Sequence, residues 1–141
     1  MENTGKKKVL FICTHNSARS QMAEGILRSF YPEKYDVYSA GTEPTEVNPY
    51  AVKVMDEIGI DISSYTSKNI NEFISEIFDY VVTVCDLAKE SCPFFPGKEI
   101  IHKSFPDPSQ LKGSETEILE GFREIRDEIM AWVASTFKRE N

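Results

Sequence analysis

Cysteine, histidine and tryptophan are scarce in this chain: 3, 2 and 1 in 141 residues. Three thiols fall short of the dense, even-numbered framework that staples small secreted domains. They point to thiol or metal chemistry in a reducing compartment. Basic charge is short as well. The 16 Lys and Arg face 23 Asp and Glu, for a formal net charge of -7. That balance excludes a general nucleic-acid footprint, so an anionic substrate has to be caught by a local positive site. No apolar run approaches the roughly 20 residues that cross a bilayer. The opening MENTGKKK is basic, but the following VLFIC is too short for a signal-peptide core, and no cleavage site follows it. The expectation is a cytoplasmic protein without membrane or nucleic-acid partners, and a monomer, since no exposed apolar stripe stands out.

What is present is ordinary for a globular chain: 40% hydrophobic and 28% charged residues, enough for one domain over residues 1–141 with a respectable core. Apolar runs alternate with helical patterns, which predicts an α/β fold on a mostly parallel sheet. KVLFIC is a near-continuous apolar run, as for a central strand covered on both faces. Met22, Ile26, Leu27 and Phe30 follow at helical spacing. DVYSAGT reads as a second strand. NPYAVKVMDEIG reads as a helix capped by Asn48, with Pro49 in its first turn and Gly59 at its stop. Ile70, Phe73, Ile74 and Ile77 form a helical stripe. YVVTVC is a third strand ending on Cys85, and EIIHKSF a fourth. Ser114 and Glu117 stand at capping-box spacing before a last helix with Ile118, Phe122, Ile125, Ile129 and Val133 on its inner face. In an open parallel sheet, ligands bind beyond the carboxyl ends of the strands. That rule brings Cys13, Cys85 and the Asp107 of FPDPSQ to one edge.

Cys13 sits where the first strand gives way to a polar hinge and then a helix, with Arg19 and Ser20 at the helix start. A loop of this length can wrap one oxyanion. Its backbone N–H groups form an anion nest, the helix adds its positive end, and Arg19 can contact two oxygens. The same field favours a thiolate, to which the Ser20 hydroxyl can donate. Asn16 suits a position of unusual backbone angles. Taken alone, Cys13 is equally a small buried apolar side chain at a strand end; the arginine and the helix start favour the nucleophile. His15 reads as a rim residue.

Cys85 and Cys92 are separated by DLAKES, which reads as a short helix capped by Asp86 and stopped by Pro93. Seven residues of helix would part their Cα atoms by about 10 Å, whereas a disulfide tolerates at most about 7 Å. The two can join only if the helix unwinds. Two unrelated core thiols remain an alternative. A zinc site fits poorly, because the close ligand pairs it favours are missing. Asp107 lies between two prolines on a stiff turn, where an aspartate serves either as turn former or as general acid.

CTHNSARS resembles the active-site loop of the low-molecular-weight protein tyrosine phosphatase superfamily. The longer FICTHNSARSQMAEG, with YSAGT, NP, GIDIS, TSK and FPDP downstream, is similar to its thioredoxin-coupled arsenate reductase branch, over nearly the whole chain. The resemblance implies a three-layer fold with a four-stranded parallel sheet flanked by helices. It implies that Thr14, His15, Asn16, Ser17, Ala18, Arg19 and Ser20 cradle the substrate, with Cys13 as nucleophile and Asp107 as acid. It further implies a relay in which Cys13 attacks arsenate, Cys85 attacks Cys13, and Cys92 attacks Cys85. The Cys85–Cys92 disulfide is then reduced by thioredoxin, or by glutaredoxin or another thiol, with no cofactor or metal. Some of the branch bind a monovalent cation behind the loop. Lys68 stands where an acidic residue would help hold it, so a cation on Asn16, Glu24 and Ser39 is not expected, Lys68 supplying a competing charge. His15 stands where many relatives have glycine, Ala18 where some have a further cysteine, and Ser109 where the phosphatases carry an aromatic residue. Two other readings stay open: a phosphatase using Cys13, Arg19 and Asp107 on phosphate monoesters, and an oxyanion- or redox-sensing module without turnover.

Overall fold

The structure, a computed structural model, describes residues 5–86 and 94–137. Strand β1 (Lys7–Cys13) is followed by helix α1 (Arg19–Phe30), strand β2 (Tyr35–Gly41) and helix α2 (Pro49–Asp56). Strands β3 (Tyr80–Thr83) and β4 (Glu99–His102) come next, and helix α3 (Glu115–Thr136) closes the order. The sheet runs β2-β1-β3-β4 with every pairing parallel. The central β1 has Val9, Leu10, Phe11 and Ile12 at 0% exposure, which is why it reads as an unbroken apolar run rather than an alternating one.

Alternation within β1 divides the core. Val9, Phe11 and Cys13 face one cluster, with Met22, Ala23, Ile26 and Leu27 of α1, Val54 and Met55 of α2, and Phe122, Ile125, Ile129 and Val133 of α3. Leu10 and Ile12 face the other, with Phe73, Phe78, Val81 and Phe95. All three described α-helices therefore pack on the first face, and the second is plugged by aromatic side chains from connecting segments. Phe30, expected on the inner face of α1, is exposed at the helix end.

The caps follow the expected chemistry. Asn48 accepts from the Tyr50 N–H with Pro49 behind it, and Ser114 and Glu117 complete a reciprocal capping box. The end of α2 is tied to α3 by charge. Glu57 accepts from Arg123 Nη2 at 2.9 Å and from Arg126 Nη1 at 2.8 Å, and the same Arg126 nitrogen reaches the Val54 carbonyl at 2.8 Å. The Arg123 guanidinium above all, then Arg126, lowers the Glu57 carboxyl to about 2 against the opposing cost of burial.

Three expectations are corrected. The stripe Ile70–Ile77 does not make a helix: a single 3-10 turn covers Ile70–Phe73. Phe73 and Phe78 meet edge to face at 5.9 Å, so the chain has to double back within five residues, and Ile74 and Ile77 are left exposed. Strand β3 ends at Thr83 rather than Cys85, because its neighbour β4 stops opposite it at His102. The fourth strand is accordingly shorter than EIIHKSF. The helix expected over DLAKES lies, with Cys92, outside the described residues. Among those residues, no helix is long and apolar enough to cross a membrane.

Candidate active site

The register of β1 on β2 places Cys13 beside Gly41. The loop then folds so closely over β2 that a Cβ on Gly41 would sit 2.5 Å from the Thr14 carbonyl oxygen and 2.9 Å from the Asn16 nitrogen. Glycine at 41 is what lets the loop lie down. Asn16 takes φ +49°, the one left-handed non-glycine among the described residues, and its short amide holds that turn from within. Its Oδ1 accepts from the Lys68 N–H at 2.9 Å and from Gln21 Nε2 at 3.0 Å. Its carbonyl accepts from Ser67 Oγ at 2.7 Å. With Oδ1 so engaged, Nδ2 is turned the other way and donates to Ser20 Oγ at 2.8 Å and Ser39 Oγ at 2.9 Å.

Cys13 Sγ lies 3.0 Å from Ser20 Oγ. The Ser20 oxygen already accepts from Asn16, so its own proton is available to the sulfur. The loop opens directly into α1 at Arg19, and the helix N-terminus aims its free N–H groups where negative charge gathers. The Arg19 guanidinium is buried and held from behind, with Nη1 donating to the Phe105 carbonyl at 3.3 Å and Nη2 3.8 Å from Asp107 Oδ1. Asp107 is fixed in turn by accepting from the Ser109 N–H at 3.0 Å and hydroxyl at 2.8 Å.

These groups surround a pocket of about 200 Å³. Cys13, His15, Ser17, Ala18, Arg19 and Asp107 line it, as does Ser109, placed after the Asp-Pro pair. Thr14, Asn16 and Ser20 do not. Thr14 braces the loop through its carbonyl to the Glu43 N–H at 2.9 Å, while Asn16 and Ser20 are wholly buried behind the loop. Their part is support rather than contact with the pocket. His15 is at the rim as expected, its Nδ1 on the Glu43 carbonyl at 3.0 Å. Since a carbonyl only accepts, that ring nitrogen carries the proton. Thr45, absent from the sequence reading, and Asn48, read there only as a helix cap, also line it.

Cys85 is 1% exposed in the same apolar cluster as Cys13. Its Sγ stands 3.8 Å from the carbonyl oxygen of Ile12, the residue before Cys13. Cys13 is a free thiol.

Lys68 reaches the loop through its backbone N–H on Asn16 Oδ1, and its ammonium donates to the Thr66 carbonyl at 2.7 Å, the same carbonyl that accepts from Gln21 Nε2 at 3.0 Å. The cation beside Glu24 is Arg28, at 2.6 Å.

The model of the family described as low molecular weight phosphotyrosine protein phosphatase matches residues 8–140. An arsenate reductase of Halalkalibacterium halodurans is 49% identical over 125 residues, 88% of this chain and 90% of that one. A solved arsenate reductase in the phosphate-binding state superposes with a TM-score of 0.74 at 34% identity, covering 92% of this chain and 95% of its own. The thioredoxin-dependent arsenate reductase of Corynebacterium glutamicum matches with a TM-score of 0.68 at 30% identity, over 95% of this chain and 63% of its own. The loop, the buried arginine and the aspartate turn thus sit on a fold shared along nearly the full length, and the chain belongs to the low molecular weight phosphotyrosine protein phosphatase family.

Proposed function

We propose that this chain, acting as one domain over residues 1–141, reduces arsenate to arsenite by way of its three cysteines. The observation that carries the reading is the position of Cys85, its sulfur packed against the backbone of the residue preceding Cys13. A hydrolase needs no second thiol there. The arsenate reductases of similar sequence support the substrate.

In this reading arsenate sits in the loop with its oxygens on the backbone N–H groups and Arg19. The Cys13 thiolate attacks arsenic, and Asp107 protonates the departing oxygen, which leaves as water. Cys85 then attacks the Cys13 sulfur. The sulfur–arsenic bond breaks, its electron pair stays on arsenic, and arsenite leaves as a Cys13–Cys85 disulfide forms. Cys92 attacks Cys85, releases Cys13 as a thiolate, and leaves a Cys85–Cys92 disulfide. Each exchange is a thiolate attack on an electrophilic sulfur. Thioredoxin returns the pair to thiols, a role supported by the thioredoxin-dependent relative.

The second reading is phosphate-monoester hydrolysis by Cys13, Arg19 and Asp107, favoured by the family description and by a loop in which phosphate and arsenate have the same shape and charge. The deciding experiment follows NADPH oxidation with arsenate, thioredoxin and thioredoxin reductase beside a phosphate-ester assay on the same preparation. Sustained arsenite release supports the reductase. Ester cleavage with no arsenite overturns it in favour of the hydrolase.

A further inference from the structure

Glu24 is a carboxylate in the wrong place for a solvated helix face. It is 5% exposed on α1, four residues after Ser20. Its Oε1 accepts from the Ser39 hydroxyl at 2.5 Å and its Oε2 from Arg28 Nη2 at 2.6 Å. The Ser39 oxygen accepts from Asn16 Nδ2, whose other proton goes to the Ser20 oxygen, and Ser20 meets the Cys13 sulfur. An unbroken file of hydrogen bonds therefore runs from Arg28 through Glu24, Ser39, Asn16 and Ser20 to the nucleophile.

The donors and acceptors fix the direction of that file. The Asn16 amide is locked by the Lys68 N–H on its oxygen, so its NH₂ has to donate both ways. Ser39, receiving from Asn16, passes its own proton to Glu24. The side chain at 24 is thus needed as an acceptor. Yet an unpaired buried carboxylate is costly, and it would set a negative charge behind a loop that has to gather negative charge at Cys13 and on a bound oxyanion. Arg28 resolves this conflict. It lies one helical turn after Glu24, its side chain is 44% exposed, and it is held in place by the Val37 carbonyl at 2.6 Å, the Tyr65 hydroxyl at 2.9 Å and the face of the Tyr65 ring.

We infer that Arg28 is a positioning residue for the nucleophile: by cancelling the Glu24 charge it allows the Ser39–Asn16–Ser20 file to point its last proton at Cys13 without setting an opposing field behind the loop. The inference rests on Cys13 being the nucleophile of the proposed function, and it holds whether the chain reduces arsenate or cleaves phosphate esters.

The test uses the chain with Cys85→Ser and Cys92→Ser, so that Cys13 is the sole thiol. The readouts are the rate of Cys13 alkylation by iodoacetate at neutral pH and the protection given by inorganic phosphate. Neither needs arsenate nor a reductant, so failure of the reductase reading leaves them intact. Arg28→Met should slow alkylation and weaken phosphate protection, each about tenfold, the size of one unit charge felt over roughly 10 Å at an effective dielectric near 20. Arg28→Lys should restore most of both. The pair Glu24→Gln with Arg28→Met removes the buried charge together with its partner, and should recover alkylation to within about threefold of the parent. Thermal unfolding confirms that each variant is folded. Parent-like alkylation in Arg28→Met overturns the inference. So does a double variant as slow as Arg28→Met, because the loss would then be one of packing and not of charge.

Discussion

Arg19 Nη2 stands 3.8 Å from Asp107 Oδ1 across the mouth of the pocket, beyond a direct hydrogen bond and near enough for one oxyanion to touch both. In the proposed reaction the guanidinium would meet the charge that stays on the substrate, and the carboxyl would face the oxygen that leaves. Asp107→Asn keeps the turn, because the amide oxygen can still accept from Ser109. It removes the proposed proton donor. Turnover should fall by about 10²–10⁴-fold, while inorganic phosphate still protects Cys13 from alkylation. Loss of protection together with turnover would show that Asp107 serves the shape of the pocket instead.

The two remaining thiols separate the chemistries. Cys85→Ser should abolish arsenite formation and leave phosphate-ester cleavage within a few-fold of the parent. Cys92→Ser should give at most one turnover with arsenate, with the oxidation stranded between Cys13 and Cys85. Mass spectrometry of the alkylated, quenched protein reads both outcomes directly. Continued thioredoxin-driven turnover in Cys92→Ser counts against the relay.

Gly41 lies against the loop after Cys13 without lining the pocket. In Gly41→Ala the new methyl would collide with backbone atoms of Thr14, Cys13 and Asn16, none of which can swing aside as a side chain can. Overpacking of this kind costs about 1–3 kcal/mol. The unfolding midpoint in urea should drop, and phosphate protection of Cys13 should be lost in whatever remains folded.

The Glu57 carboxyl, held near 2 first by Arg123, makes the α2–α3 junction sensitive to acid. Its folded value lies below the ordinary 4.5. The stabilisation is therefore complete above that ordinary value and drains away as pH falls through the interval down to about 2. Glu57→Gln should lower the urea midpoint at pH 6 and lower it by less than half as much at pH 3. An equal drop at both values would assign the effect to packing. The group is exposed, so added salt should shrink the difference.

Much of the fold was legible because three signals are local: the apolar run of β1, the Asn48-Pro49 start of α2, and the Ser114–Glu117 box of α3. The stripe at Ile70, Phe73, Ile74 and Ile77 misled because spacing alone does not tell a helix from two aromatic plugs brought together by a turn. At the site, Cys13, Arg19 and Asp107 could be read from spacing and loop chemistry. Thr45 could not, since it reaches the pocket only through the folding of a connection with no distinctive pattern, and the Asn48-Pro49 signal marked a helix start without showing that Asn48 also lines the pocket. Charge partners were the hardest to see. Lys68 drew attention in sequence as a charge near Glu24, whereas which cation pairs with the carboxylate depends on which stem can reach it. The actual partner, Arg28, lay in plain view at i+4, the ordinary spacing of a helical ion pair.

The left-handed backbone at Asn16 has a consequence for how the protein comes into being. Its oxygen atoms are gripped by Gln21, Ser67 and the Lys68 backbone, and Arg19 is seated by Phe105. A ribosome would have to deliver some ninety residues beyond the nucleophile before the cradle could close. An oxyanion that fits the finished cradle and finds nothing in the unfinished one acts as a ligand of the native state alone, and its concentration shifts the folding equilibrium as well as occupying the site.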